Sequence, residues 1–413
     1  MTKIKKVVLI TTSFPYGGKE PLISAELPFL REKFDEISII CYTKKKEQKN
    51  SELKGDESVY EYDVFLSAFQ KLIGLFILNW RLVFKEFRII NKTFGLPINV
   101  QVIKVLIMSL IRGAYFERFL KSNFKNDLAS KEIIFYSWWC TEEVIGLSSF
   151  LNKNKNVIGV TRMHAYDLYF ERHSPHYLPL RDYIFSSLNK VFVITNQGYK
   201  YLEEKMGVQY KSVLVSRLGV SNHLLVRERS KASILTVVSC SSLIPLKRIE
   251  LIIESLALIS LNTKVKWIHF GTGPEEEALI DLAKIKLRNI NFEFYGTIDN
   301  KDLHTFYYEK GADLFINVSE TEGLPISLME AMSHGIPCIG TDVGGVLEII
   351  DNNENGYLID KDFEPKCLAR ILDEFSEMDE DKRNELRSKA YDKWNENFNS
   401  EKNYTSMIKE MVK

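Results

Sequence analysis

The chain has 413 residues, 45% apolar and 27% charged, with 55 basic and 55 acidic side chains in balance. That is the composition of a globular protein, long enough for two hydrophobic cores of roughly 200 residues each. A neutral total excludes a chain coated with cations, so no nucleic-acid partner is expected.

In chain order, a basic start (Lys3, Lys5, Lys6) leads into Val7–Thr12, a β-branched run followed by Pro15, Gly17 and Gly18. The apolar stretch is too short for a signal peptide and reads as a buried first strand. Helical spacing over Ser24–Lys33 and a second strand at Ile37–Tyr42 complete the opening of a parallel α/β domain. Lys44–Gly55 is a polar loop. Residues 64–90 and 98–121 predict two long helices rich in Leu, Ile, Phe and Trp, each with a basic edge. They fit core-facing helices, and they fit attachment to a membrane surface. Ile133–Tyr136, Val157–Thr161, Lys190–Thr195 and Ser212–Arg217 predict further strands, and 221–231 is read as a polar linker.

From Leu235 the alternation restarts. Strands are expected at Leu235–Ser239, Val265–Phe270, Ile290–Tyr295, Leu314–Val318 and Cys338–Gly340. Helices are expected at Arg248–Leu261, Glu275–Leu287, Asp302–Lys310, Ile326–His334, Gly345–Ile350, Cys367–Phe375 and across 383–413. Such alternation means a parallel sheet with helices on both faces. No segment reaches about 18 uninterrupted apolar residues, so no spanning helix is expected.

Charge divides unevenly. Residues 1–220 carry 32 Lys and Arg against 22 Asp and Glu, and the remainder has the opposite imbalance. The N-terminal half then faces something anionic, or surface charge is partitioned by chance. The five cysteines are scattered with no Cys-x-x-Cys, which signals neither zinc site nor disulfide framework and fits a reducing, cytoplasmic compartment.

The most informative stretch is Ser319–Met332, just after an apolar strand and therefore at the carboxyl edge of a parallel sheet, where open α/β folds bind ligands. Gly323 lets a ligand approach the backbone, Pro325 suits a helix start, and the amides around Gly323, Leu324 and Ile326 could meet an anion. Glu322 and Glu330 can accept hydrogen bonds from sugar hydroxyls. Taken alone, the stretch also fits a capped helix with a solvated glutamate.

The spacing from Glu322 to Glu330 resembles the Glu-x7-Glu motif of family 4 retaining glycosyltransferases with the GT-B fold. Gly335-Ile336-Pro337, Gly344 to Ile350 and Asn355 to Ile359 agree in order and spacing. So do Phe270-Gly271-Thr272-Gly273-Pro274 and Phe294 to Ile298. The resemblance is close over about 230–360 and looser in the N-terminal half.

It implies two Rossmann-like parallel-sheet domains facing a central cleft. Residues 1–220 would bind acceptor, residues 221–394 would bind the nucleotide sugar, and a last helix at about 395–413 would pack back on the first domain. Glu330 is expected to hold ribose hydroxyls. Glu322 is expected to steady charge near the anomeric carbon, where the transition state resembles an oxocarbenium ion. Ser242 to Arg248 resembles the family's Arg-x4-Lys diphosphate clamp, with Lys247 at the lysine position. Ser242 departs from the usual arginine, and Arg248 is the candidate substitute for its charge. Gly271, Gly273 and Thr297 complete the donor set.

In the N-terminal half, Phe14 to Glu20 resembles the family's glycine-rich first loop, so Gly17 and Gly18 are expected at the donor phosphates and Glu20 at the acceptor. Thr161 to Asp167 resembles the Arg-x-His-x-x-Asp segment of a bacterial polysaccharide branch. His164 would face Glu322 and take part in catalysis, while Arg162 and Asp167 would contact acceptor. The resemblance implies transfer of a hexose-type sugar, with retention, from a UDP- or GDP-type donor to a saccharide or lipid-linked saccharide in cell-surface polysaccharide synthesis. The protein would be cytoplasmic, without a membrane span yet able to sit on the inner membrane face. It implies no metal and no cofactor, and Asp360-Lys361-Asp362 and Asp379-Glu380-Asp381 are read as solvated charges. A GT-B nucleotide-sugar epimerase and a donor-binding subunit without catalysis remain as alternatives.

Overall fold

The computed structural model describes residues 4–16, 20–42, 53, 55–76, 78–207, 210–222 and 234–413. Gly17, Gly18, most of the 44–55 loop and the linker from 223 onward lie outside them. The chain forms two compact units. Unit 1 holds Met1–Arg217 with Tyr404–Lys413, and unit 2 holds Leu218–Asn403.

Unit 1 runs β1 (Ile4–Thr11), α1 (Pro21–Lys33), β2 (Glu36–Cys41), β3 (Ser58–Glu61), α2 (Ala68–Phe76), α3 (Trp80–Phe94), α4 (Val100–Phe124) and α5 (Asp127–Ser130). It continues with β4 (Lys131–Ser137), α6 (Glu143–Lys153), β5 (Ile158–Met163), α7 (Ala165–Leu168), α8 (Arg181–Ser187), β6 (Lys190–Val193), α9 (Asn196–Met206) and β7 (Val213–Val215). The strands form one sheet in the order β3-β2-β1-β4-β5-β6-β7, parallel at every pairing. β1 is buried on both faces, which is why Val7–Ile10 reads as a continuous apolar run instead of alternating.

The helix expected over 64–90 is two helices. Asn79 (φ −80°, ψ 88°) leaves the helical region, and its carbonyl starts α3 by accepting from Leu82 at 3.0 Å. α4 begins where the Asn99 side chain accepts from the Val102 amide at 3.0 Å, an N-cap. α6 packs on α4 through facing glycines: a Cβ on Gly146 would lie 2.2 Å from the Gly113 carbonyl oxygen. Only hydrogen side chains allow that approach.

Unit 2 runs β8 (Leu235–Cys240), α10 (Ile249–Leu256), β9 (Val265–Phe270), α11 (Glu276–Lys286), β10 (Asn291–Gly296), α12 (Asn300–Glu309) and β11 (Leu314–Asn317). Then follow α13 (Ile326–Ser333), β12 (Cys338–Thr341), α14 (Val346–Ile349), β13 (Gly356–Ile359), α15 (Pro365–Glu377) and α16 (Glu380–Asn397). Its six parallel strands take the order β10-β9-β8-β11-β12-β13. Both sheets are doubly wound. The order reverses between β1 and β4 in unit 1 and between β8 and β11 in unit 2, so loops leaving those strand ends diverge and open a crevice.

The helix expected over 383–413 is broken at Phe398–Asn399 into α16 and α17 (Ser400–Met411). From Tyr404 the chain belongs to unit 1, where Tyr404 packs on Phe29 with ring centroids 5.8 Å apart. Among the described residues no helix is long and apolar enough to cross a membrane.

Candidate active site

The adjacency of β8 and β11 places two loops side by side at the carboxyl edge of the unit 2 sheet. The β8 loop closes in a 3-10 turn, Pro245–Lys247. The β11 loop, 318–325, leads into α13. A backbone bond from Glu320 N to Leu246 O, 2.9 Å, ties one loop to the other. Lys247 Nζ then lies 2.5 Å from Glu322 Oε1. The same oxygen accepts from Ser319 Oγ at 2.6 Å and from Asn317 Nδ2 at 3.2 Å. One carboxylate oxygen thus holds three donors, and the pair keeps partial access to water, with side chains 21% and 12% exposed. Motif reading missed Asn317, and it included Ser319 in the stretch without assigning it a role. An asparagine ending an otherwise apolar strand was the available signal.

Glu330 sits in α13 and is buried. Burial pushes its carboxyl up to about 7, against the opposing pull of a hydrogen bond donated by Asn300 Nδ2. Asn300, which opens α12, was also missed. The Cys240 thiol at the end of β8 is pushed up to about 12 by burial, with Glu330 raising it further and Lys247 opposing. The amides of Gly323 and Leu324 donate to no protein group among the described residues. They precede a helix start, which suits an anion.

The glycines around this edge serve close backbone packing. Gly271 has φ +135°, and a Cβ there would lie 1.8 Å from the Ser241 carbonyl oxygen; one on Gly344 would lie 2.0 Å from that of Glu322. The β9 loop is thereby stitched to the β8 loop by Leu243 N to Thr272 O, 3.0 Å. Gly273 lies in the same seam. Thr297 is exposed after β10, and Pro325 is the residue preceding α13. A buried relay holds the β8 loop from beneath. Trp267 Nε1 donates to Ser239 Oγ at 3.0 Å, Ser239 Oγ lies 2.9 Å from His269 Nδ1, and His269 Nε2 lies 3.1 Å from the Ser241 carbonyl. The carbonyl can only accept, so the proton is on Nε2, and burial pushes His269 down to about 4, keeping it neutral.

Arg248 does not join Lys247. Its αL backbone (φ 51°) turns the guanidinium onto the carbonyls of Val318 at 2.8 Å and Lys361 at 2.8 Å, and its plane lies over Phe363. It clamps the ends of β11 and β13 together. The expectation that it replaces an arginine at Ser242 does not fit that engagement.

In unit 1, both oxygens of buried Glu20 are taken by its own neighbourhood. They accept from the amides of Thr12 (3.2 Å), Ser13 (2.8 Å) and Phe14 (2.7 Å), from two hydroxyls, and from Trp139 Nε1 at 2.7 Å. The carboxylate staples the β1 loop to the end of β4 at the switch point. Arg162 is 0% exposed. It donates to Glu26 Oε2 at 2.7 Å and to Met407 Sδ, and it stacks over Trp138 and Tyr404. A side chain so enclosed anchors the returning C-terminal helix; a direct acceptor contact does not fit. Asp167 accepts from the backbone amides of His164 and Cys140, each at 2.6 Å. Burial raises it to about 6. It binds the His164 main chain and not the ring. The His164 ring lies against Trp139 (centroids 4.3 Å) and Trp138 (5.3 Å), with neither nitrogen hydrogen-bonded. Burial holds it well below the usual imidazole range, hence neutral.

Among the described residues no group of three His, Cys, Asp or Glu could hold a metal. Asp379 is the N-cap of α16, accepting from Lys382 N at 2.8 Å, and Asp360 accepts from Asp362 N at 2.7 Å.

Two doubly wound parallel-sheet units of this kind define the GT-B fold. Across 98% of this chain the structure is similar to Alr3699/HepE of Anabaena, solved in complex with UDP, with TM-score 0.68, 16% identity and 99% of that chain covered. Residues 227–393 match the family described as Glycosyl transferases group 1. It is 25% identical to WcaL of Escherichia coli (strain K12), a protein named for colanic acid biosynthesis, over 253 residues, 58% of this chain and 61% of that protein. It is 31% identical to the N-acetyl-alpha-D-glucosaminyl L-malate synthase of Bacillus anthracis over 163 residues, 38% of this chain and 39% of that enzyme. The chain therefore spans about two fifths to three fifths of the length of these curated relatives.

Proposed function

We propose that this protein is a retaining glycosyltransferase that takes a hexose-type sugar from a nucleotide-diphosphate donor and passes it to a saccharide or lipid-linked saccharide in cell-surface polysaccharide synthesis. The observation that carries the reading is the Lys247–Glu322 pair at the switch point of unit 2, with buried Glu330 on the helix that follows Glu322, all within the residues that match the family. Lys247 and the Gly323 and Leu324 amides supply positive charge for a diphosphate. Glu330, a carboxyl held near neutrality, gains most from donors in hydrogen-bond contact, as a ribose diol would provide. Glu322 is the fixed negative charge for an oxocarbenium-like centre, its position set by three donors instead of by solvent. In this mechanism the acceptor hydroxyl attacks from the side the diphosphate leaves. The C1–O bond to phosphate breaks as the new C1–O bond forms, and the departing phosphate oxygen takes the hydroxyl proton.

The name of the Anabaena structure's ligand favours UDP over GDP as the nucleotide to try first. We assign acceptor binding to unit 1, and His164 to the transferred sugar; its neutral, unpartnered ring is suited to hydrogen-bond a hydroxyl. That assignment rests on the resemblance. No metal and no cofactor is invoked, the donor being a substrate. Incubation with nucleotide sugars and saccharide acceptors, followed by NMR of the product, tests the reading. An anomer matching the donor is expected. An inverted anomer contradicts retention, and interconversion of the donor sugar without acceptor would indicate an epimerase.

A further inference from the structure

Between Asp63 and Glu117 the sequence has seven basic residues and one acidic residue, Glu86. Glu86 faces inward, accepting from Tyr177 Oη and the Leu180 amide at 2.8 Å each. The segment therefore presents cations to water and no carboxylate. The same segment exposes large apolar side chains in succession: Phe69 (70%), Phe76 (85%), Trp80 (51%), Phe84 (62%) and Val100 (82%). Single exposed apolar residues need no explanation, but a run of this density does.

α3 sorts the two chemistries. Val83, Glu86 and Ile90 form its buried face. Trp80 and Phe84 lie on one flank, and Arg81, Lys85, Arg88 and Lys92 fall about 100° further round, by the 3.6-residue turn. Among the described residues Arg81, Arg88 and Lys92 make no ion pair, while Lys85 pairs with Asp182 at 2.8 Å. The basic flank borders a cavity of about 520 Å³ against α9, lined by Lys85, Arg88, Lys92 and Lys205, with Asp182 and Glu204 also on its wall.

We propose that α2, α3 and the start of α4 form a docking surface for an anionic lipid bilayer. Phe69, Phe76, Trp80 and Phe84 enter the headgroup–acyl boundary, and Arg81, Arg88 and Lys92 meet lipid phosphates, one of which the α3–α9 cavity receives. Aromatic bulk beside a basic stripe is how a non-spanning helix holds an interface, and no described helix is long and apolar enough to span. A second copy of this chain is the poorer occupant, since a two-fold contact would set the same unpaired cations against each other. None of these residues belongs to the candidate active site, so the inference stands apart from the sugar-transfer reading.

Sedimentation with vesicles of phosphatidylcholine alone, and of phosphatidylcholine with phosphatidylglycerol, tests it. The protein is expected to pellet only with the mixed vesicles, and to be released by salt. The triple variant R81Q/R88Q/K92Q should lower partition about a hundredfold, roughly fivefold for each cation. F76S/F84S should lower it about tenfold. Both variants should melt at the wild-type temperature and keep wild-type stabilisation by nucleotide. Equal pelleting with both vesicle types, retention by the variants, or a soluble wild-type protein at low salt would overturn the proposal. So would a concentration-dependent dimer that F76S/F84S abolishes, which would assign the face to self-association.

Discussion

Lys247 Nζ lies 2.5 Å from Glu322 Oε1, although 75 residues separate them in sequence. If Lys247 serves the leaving diphosphate and Glu322 the anomeric centre, the two variants should fail differently. Glu322→Gln should lower kcat about a hundredfold or more with donor affinity within about threefold. Lys247→Ala should lower donor affinity as well. Steady-state kinetics with titration calorimetry separates them; equal loss of affinity in both would mean that the pair acts only as a strut.

Glu330 gives a pH-dependent prediction. Its folded value of about 7 lies above the ordinary 4.5, so folding favours the protonated form. The associated stability is complete below about pH 4.5 and is lost as pH rises through about 7. Glu330→Gln should therefore stabilise the unliganded protein above pH 7, by as much as about 3 kcal/mol, while abolishing most nucleotide affinity. Glu143, also about 7, and Asp167, about 6, have the same sign. The difference between wild type and Glu330→Gln isolates Glu330. Urea denaturation at pH 5 and pH 8 checks it, and a variant less stable at pH 8 would contradict it.

Arg162→Ala should destabilise by about 3–5 kcal/mol, because it leaves Glu26 buried without its cation. Chemical denaturation reads this directly. Unchanged stability with a raised acceptor KM would restore Arg162 to the acceptor site.

Gly271→Ala should cost stability and donor affinity together. The left-handed backbone and the 1.8 Å approach to the Ser241 carbonyl both forbid a side chain, and relief requires the β8 and β9 loops to separate. Normal nucleotide binding by a fully stable Gly271→Ala protein would contradict that seam.

The strands other than the edge strands β3 and β13 were legible because parallel sheets buried on both faces leave continuous apolar runs such as Val7–Ile10 and Val237–Val238. The Glu322 to Glu330 stretch was legible as a strand-end loop leading into a helix. Its partners were not: Asn300 reaches Glu330 only through the tertiary packing of α12 and α13, which local pattern does not specify, and Asn317, five residues before Glu322, reads in sequence only as a strand end. Arg248 shows the limit most clearly. Its sequence position beside Lys247 suggested a second cation for phosphate, but one left-handed residue redirects it onto three carbonyls. Glu20 is similar, since carboxylate bonds to nearby backbone amides leave no periodic trace. The break at Asn79 competed with an uninterrupted amphipathic pattern that favoured one long helix.

The central claim is that unit 2 binds a nucleotide-diphosphate sugar through Lys247 and Glu330. Calorimetric titration of wild type, Lys247→Ala and Glu330→Ala with UDP, GDP and their sugars tests it most directly. One nucleotide family should bind the wild type, with affinity reduced tenfold or more in each variant. Absence of binding by every nucleotide, or affinity unchanged in both variants, would contradict it.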